Sequence, residues 1–412
     1  MSLQRKYLLT LFSEKKIRLI SLVGILIGTV RWLEFLALGI FAFDLTGSPF
    51  LVALLALLRF LPLTLFGILI GGLADRINTN RLLKFSILGI AIVSAVMVAL
   101  FLLDIASYWH VAVATFLSGI FWASDTLLRR KLVGEIAGNK RLGAAMGIDT
   151  AINNITRLVG PFIGGFIYQW FGATGVFSTA VILYIGSFIL AHGIKEPKLL
   201  PNSPNRTMGA SFFQAKEALA YAASNREIIL LLSITIVFNV WGFPMFSMIP
   251  VIGKVELFLS APTIGAISAL QGIAGFLGAL FIASFAKPPD YHRVYYYSVW
   301  IILIIVILIG ILPSTVALAL GVASAGVAAA GFSIMQATLV YKAAPDAIRG
   351  RIFGLLTICI GSGLLGFANI GWMAEIFGPS DALWIIALEG VVPMILIGMF
   401  WPELRKNKPN ID

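Results

Sequence analysis

Five ionisable residues lie inside long apolar runs of this chain. Arg31 and Glu34 sit near the middle of the run from Ser21 to Phe43, and Arg59, Asp149 and Arg157 recur in later runs. In hydrocarbon a charge costs at least ~2.5–3.5 kcal/mol on insertion scales, so such residues face a protein interior or a wet cavity and mark ion or substrate pathways. On a helix Arg31 and Glu34 share one face, where they pair with each other or with something they bind. Desolvation and a neighbouring guanidinium act on a buried carboxylate in opposite senses, which leaves it able to exchange a proton when its surroundings change. Glu34 is therefore a candidate proton carrier, with Arg31 as its tuning partner; the alternative is a permanent pair that stiffens the structure.

Asp149, Asn153 and Arg157 recur every four residues and form one polar stripe with Asn154 beside it. Asp149 is the second proton candidate. Arg31, Arg59 and Arg157 fall at similar depth against few carboxylates, which implies a cavity able to hold an anion or carboxylates shared in a network. Glu389 also lies near the middle of its run, without an assigned role. Trp32, Trp122, Phe238, Trp241 and Phe243 either stack on an amphipathic ligand or pack in the core, and packing is the ordinary role of each alone. Gln271, Gln336 and Asn369 are neutral groups that donate to a ligand or bridge helices.

The elements that must position these residues follow from composition. The 412 residues are 59% hydrophobic and 12% charged, with mean hydropathy +0.97. Soluble domains are about 45–50% apolar and about 25% charged, so a water-soluble fold is excluded. A bilayer core needs about 20 apolar residues per helix. Windows of that size predict twelve spans, at about 19–42, 50–74, 83–103, 108–130, 143–168, 174–193, 228–251, 261–286, 294–312, 315–340, 351–375 and 382–402. Barrel strands would alternate every second residue, whereas these runs are continuous, so the expected fold is an all-α membrane protein. The first span is longer than a signal-peptide core and has no small-residue cleavage site after it, so it is expected to be retained.

The net charge of +11 is distributed unevenly. Of 30 Lys and Arg, 26 lie before the first span or in every second loop after it, and the alternate loops hold only Lys254. By the positive-inside rule this encodes orientation, with both termini cytoplasmic in an integral plasma (inner) membrane protein. It does not point to a nucleic-acid partner.

The longest polar stretch divides the spans six and six. The expected organisation is an N-terminal bundle over 1–194, a cytoplasmic linker over 195–227 and a C-terminal bundle over 228–412. A short surface helix is expected from Lys216 to Ala223. The halves echo each other: Leu45-Thr46-Gly47-Ser48-Pro49 leads into span two as Leu259-Ser260-Ala261-Pro262 leads into span eight. Such internal symmetry is the trace of a transporter built from repeats, with its site near the midplane.

Several chemistries are set aside. His110, His192 and His292 show no metal-ligand spacing, and the lone Cys359 forms no intrachain disulfide. Gly361-Ser362-Gly363-Leu364-Leu365-Gly366 fits a dinucleotide pattern but lies inside a span with no preceding strand, and reads as helix packing. No P-loop, G-x-S-x-G or H-E-x-x-H is present, so neither ATP binding, a cofactor, a metal nor enzymatic catalysis is expected.

The segment after span two reads Gly71-Gly72-Leu73-Ala74-Asp75-Arg76-Ile77-Asn78-Thr79-Asn80-Arg81. It resembles the signature loop of the major facilitator superfamily, with Gly71, Asp75, Arg76 and Arg81 matching, Asn78 in place of the second glycine and Asn80 in place of one basic residue. Asn enters the left-handed region readily, so the turn is expected to survive. The resemblance implies that Asp75 helps latch two halves on the cytoplasmic side, and that Asp125 is the acidic partner of the loop's basic residue. Span five carries Gly160-Pro161-Phe162-Ile163-Gly164-Gly165, similar to the Gly-Pro-x-x-Gly-Gly motif of the superfamily's exporters. Gly160 and Gly164, four apart, let another helix approach closely, and Pro161 bends its helix.

Together with Arg129-Arg130, Phe243-Pro244 and Arg349-Gly350-Arg351, these motifs resemble the enterobactin-exporter and macrolide-efflux branch in order. The resemblance implies two pseudo-symmetric six-helix bundles, alternating access, and monomeric, proton-coupled efflux of a small organic molecule: a drug, a siderophore or another secreted metabolite. The alternatives are a lysophospholipid flippase, a small-molecule importer, and a non-transporting sensor or scaffold. The expected partners are that small molecule, protons and the lipid bilayer.

Overall fold

A computed structural model describes residues 11, 13–76, 78–138, 141–194, 219–345 and 348–404. These are helical almost throughout, and the helices begin and end where local chemistry says they should. The first, α1 (Lys15–Thr46), stops at Gly47, whose φ of 65° no β-carbon would favour. There follow α2 (Pro49–Arg76), α3 (Thr79–Leu102), α4 (Tyr108–Ala137) and α5 (Leu142–His192). The last is two helices broken at Gly172, which takes φ 58° and ψ −159°. That break separates spans five and six where the sequence placed their boundary.

The second half runs from α6 (Arg226–Val237) through a π turn (Phe238–Gly242) to α7 (Met245–Val255), which together make one span. Pro244 has no N–H to return to Val240, and Phe243 N donates instead to Phe238 O at 2.8 Å, one residue wider than an α turn. Then come α8 (Ala261–Phe285), α9 (Tyr291–Ile311), α10 (Thr315–Ala343), α11 (Arg349–Gly361), α12 (Gly363–Phe377) and α13 (Pro379–Phe400). α11 and α12 form one span interrupted at Ser362, whose hydroxyl donates to Cys359 O at 2.6 Å. Residues 219–224 are also helical and include the end of the expected surface helix; the rest of the expected linker, 195–218, lies outside the described residues.

Apolar side chains such as Ile182, Leu277, Leu308 and Leu365 are exposed on these helices. In water that would be unstable, but on a bundle immersed in lipid it is the expected outer surface. This is a multi-pass, all-α integral membrane protein.

The described residues form two compact units. One comprises those of 1–47, 55–201 and 259–272; the other those of 48–54, 202–258 and 273–412. In the first, α1 packs along α5, and a core of Ile20, Ile27, Leu83, Leu128 and Ile148 fills the space among α1, α3, α4 and α5. In the second, Phe238 stacks on Phe332 at 3.9 Å and Phe332 on Tyr295 at 5.1 Å. Tyr295, Thr235 and Gln336 form a buried hydrogen-bonded group there. Gly363 and Gly366 lie against Asn239 and Val240, so two of the three glycines of the dinucleotide-like pattern serve helix packing.

The two asparagines of the signature segment behave differently from expectation. Asn78 has φ −53° and ψ 120°, not a left-handed conformation. It caps α3 instead, its side-chain oxygen accepting from Asn80 N at 3.0 Å and Arg81 N at 3.1 Å. Asn80 is fully buried and donates to Ile194 O at 2.9 Å, so where a basic residue would face water this chain ties α3 to the end of α5. Asn78→Ala should destabilise by about 1 kcal/mol, and Asn78→Gly by only a few tenths, in detergent unfolding titrations. Equal effects of the two would remove the capping role.

Candidate functional site

The polar centre of the first unit is built from α1, α2, α4 and α5. Arg31 and Glu34 share a face of α1 as their spacing requires, yet they do not pair with each other. Arg31 Nη2 donates to Asp125 Oδ2 on α4 at 3.0 Å, and Glu34 Oε2 accepts from Arg59 Nη2 on α2 at 3.1 Å. Arg59 also donates to Arg31 O at 3.1 Å. The expected Arg31–Glu34 partnership is thus replaced by two interhelical pairs. Side chains three apart on one helix diverge when each has a better-placed partner on a neighbouring helix.

Asp125 has other partners among the described residues. The resemblance made it the partner of a basic residue in the segment after span two. It is buried, pairs with Arg31, and lies 3.7 Å from Arg129 Nε one turn along α4. Arg81 is exposed at the start of α3. Gly71, Asp75 and Arg76 close α2, and their side chains lie outside the described residues.

Asp149 does not join Arg157 along its own helix. It is ion-paired with Arg129 and accepts from Arg130 Nε at 3.3 Å. Arg129 was counted among loop residues that set orientation, but it is in α4 and 5% exposed. It is the member of this ion-pair network that the sequence did not single out, and the available signal was its position four residues after Asp125 on the same face. Arg130 next to it is 57% exposed at the side chain, so the chain Arg130–Asp149–Arg129–Asp125–Arg31 runs from an exposed guanidinium to the middle of α1. A small cleft lined by Ile17, Val133 and Ile152 reaches Arg129 and Asp149. Asn153 is half-buried between Asp149 and Arg157.

Arg157 stands apart. Its guanidinium lies 4.4 Å over the Trp32 ring, and among the described residues it has no carboxylate partner. Arg31 sits similarly over Trp122, at 4.8 Å. Between these two indoles runs an edge-to-face series, Trp32–Phe35 at 5.9 Å, Phe35–Phe60 at 6.3 Å and Phe60–Trp122 at 5.1 Å.

The glycine motif holds this centre in place through two faces of α5. A β-carbon on Gly160 would lie 2.6 Å from Trp32 Cβ, and one on Gly164 2.9 Å from Leu33 O, so these two admit α1. Gly165 faces the other way, against Ala261 O at the start of α8, and a β-carbon on Gly265 would meet Pro161 O at 2.5 Å. In the second unit Glu389 accepts from Asn369 Nδ2 at 2.7 Å and Trp241 Nε1 at 3.1 Å, linking α13 to α12 and the π turn. Among the described residues no cluster of His, Cys, Asp and Glu suited to a metal occurs.

A network of guanidiniums and carboxylates inside a lipid-facing bundle fits movement of solutes or ions, and comparison with known proteins agrees. The chain is 22% identical over 314 residues to macrolide efflux protein A of Streptococcus pyogenes, covering 75% of this chain and 77% of that one. It is 22% identical over 276 residues to the staphyloferrin A transporter of Staphylococcus aureus, covering 65% and 67%. Among solved structures, a bacterial homologue of the human lysosomal transporter Spinster matches with TM-score 0.71 at 16% identity over 100% of both chains. The nucleoside transporter NupG matches with TM-score 0.76 at 14% identity, over 94% of this chain and 99% of that one. The model of the Major Facilitator Superfamily matches residues 20–368. With its helical spans, its charged interior and that match along most of its length, the chain belongs to the major facilitator superfamily of transporters.

Proposed function

We propose that this transporter exports a small organic molecule against inward proton flow, by alternating access of two six-span halves, as a monomer in the plasma (inner) membrane with both termini cytoplasmic. One observation carries the proton-coupled reading: a continuous series of ion pairs leads from exposed Arg130 through Asp149, Arg129 and Asp125 to Arg31. The Glu34–Arg59 pair is joined to it by the Arg59 bond to Arg31 O. The efflux-type relatives and the excess of Lys and Arg on one side favour export and this orientation.

Glu34 is the proton carrier in this reading. One carboxylate oxygen is held by Arg59, and the other, Oε1, is buried without a hydrogen-bond partner. A proton on that oxygen would weaken the hold on Arg59 and shift the preference between the two cavity orientations. Substrate shifts the same preference only through unequal affinity for them. Asp149 is the entry site, between a buried and an exposed arginine. Gly71, Asp75, Arg76 and Arg81 form the cytoplasmic latch.

The test is substrate-driven proton movement in vesicles holding purified protein, with a labelled macrolide or siderophore as substrate. Glu34→Gln should abolish proton movement while leaving binding, and Asp149→Asn should slow it at least tenfold. Unaltered coupling in both variants would sink the proposal.

A further inference from the structure

We infer that the transported compound is an organic anion, and that Arg157 with Trp32 is the place where its carboxylate or other oxyanion docks. The inference rests on the proposed export of a small organic molecule, and it names the substrate class.

The argument starts with charge. Near the centre of the first unit stand four guanidiniums, Arg31, Arg59, Arg129 and Arg157, and three carboxylates, Glu34, Asp125 and Asp149. Each carboxylate is already engaged with Arg31, Arg59 or Arg129. Arg157 is the remainder. A buried cation in a bilayer is expected to find an opposite charge, and the described protein supplies none.

Hydrogen bonding points to the same spot. Arg157 Nε and Trp32 Nε1 are both buried without a hydrogen-bond partner, although the two groups lie against each other. Two unmatched donors and one unmatched positive charge in contact call for an acceptor carrying negative charge.

Orientation rules out a guanidinium turned towards lipid headgroups. Ile155, Phe162 and Phe166 are exposed along one side of α5. Arg157 follows Ile155 by two residues, about 200° round the helix, and so faces inward. It is also not sealed, being half-buried, as are Trp32, Phe35, Phe60 and Trp122.

The aromatic series beside Arg157 defines the rest of the ligand. From Trp32 it passes through Phe35 and Phe60 to Trp122, an apolar wall with a positive group at its Trp32 end. At the Trp122 end Arg31 is already neutralised by Asp125. An apolar or aromatic body on the wall, with one oxyanion at Arg157, satisfies both features.

The probes are naphthoate and its neutral isostere naphthamide, titrated calorimetrically into the protein in nanodiscs with empty discs subtracted. Naphthoate should bind at least about tenfold more tightly, the worth of one charge-assisted interaction. Arg157→Gln should abolish that preference, Arg157→Lys should keep part of it, and both should elute as folded monodisperse protein. Equal binding of the two probes, or a preference that survives Arg157→Gln, overturns the inference. A third arm, lysophosphatidate against monoacylglycerol, separates solute from lipid: Arg157-dependent binding of lysophosphatidate without that of naphthoate overturns the solute assignment. No proton gradient is present in these titrations. An Arg157-dependent preference in a protein that moves no protons would therefore sink proton coupling and leave the anion site standing.

Discussion

Asp125→Ala should be among the most damaging substitutions in the chain, lowering stability by about 3–5 kcal/mol, because it strands a buried guanidinium. Among the described residues Asp125 is the only carboxylate bonded to Arg31, at 3.0 Å, and it stands between Arg31 and Arg129. Arg129 keeps Asp149 when Asp125 is gone, but among the described residues Arg31 keeps only the face of Trp122. Arg31→Met should cost less, since Asp125 would still lie beside Arg129. The double variant Arg31→Met/Asp125→Leu should recover most of the wild-type stability, because apolar side chains of similar volume replace a buried pair at little or no cost. Detergent or thermal unfolding of the four proteins forms a double-mutant cycle that isolates the pair. A single Asp125→Ala variant as stable as wild type would mean that Arg31 is solvated and the pair is not buried. If the double variant is stable and transports normally, the pair is scaffold alone; stability without transport places it in the mechanism.

That experiment matters because the pairing is what the sequence conceals. A charge in an apolar run is conspicuous, so Arg31, Glu34, Arg59, Asp149 and Arg157 were legible as interior residues. Their partners were not. Glu34 meets Arg59 and Arg31 meets Asp125 across separate helices, 25 and 94 residues apart. Such contacts depend on how each helix is rotated about its axis, and composition says nothing of that when a helix is apolar all round. Arg129 was hidden for a different reason: in the run Arg129-Arg130-Lys131 it looks like the basic end of a span, yet α4 continues to Ala137 and carries it inside.

The fold was easier to read than the site for the same physical reason. Twelve apolar stretches of membrane length leave few folding options in lipid, since every backbone polar group must be satisfied within a helix. Fine conformation was less accessible. Asn78 was expected to replace a glycine by adopting its backbone angles; it replaces the turn with a helix cap, using a side-chain oxygen that glycine lacks. The two faces of the Gly160–Gly165 motif were half-legible: spacing of four announced a close helix contact, but not that α1 and α8 would share α5 between them.

The crossing of α5 with α8 yields the second large effect. Gly265→Val should unfold or severely destabilise the protein, beyond the usual 1–3 kcal/mol of an overpacked core. The added atoms would meet backbone rather than flexible side chain: Pro161 O at 2.5 Å and Gly165 Cα at 3.2 Å from the β-carbon position. At Gly272 the nearest atoms are again backbone, Leu158 N at 2.6 Å and Cα at 2.8 Å. No rotamer change relieves such contacts, so the two helices must part. Ala261, Gly265 and Gly272, spaced four and seven residues apart, lie on one face of α8 and meet Leu158, Pro161 and Gly165 on α5, so the strain would spread along the whole crossing. The control sits on α5, away from the crossing: nothing lies within 4 Å of a β-carbon on exposed Gly147, and Gly147→Ala should be neutral or mildly stabilising. Gly265→Val with the melting temperature of wild type would show that α8 does not approach α5 in this way. Gly160→Ala tests the opposite face, since its β-carbon would press on Trp32 Cβ at 2.6 Å. Thr29 O and Leu33 N lie 2.7 and 2.9 Å from the same position, so the variant should lower stability as well as displace the indole on which Arg157 rests and weaken naphthoate binding.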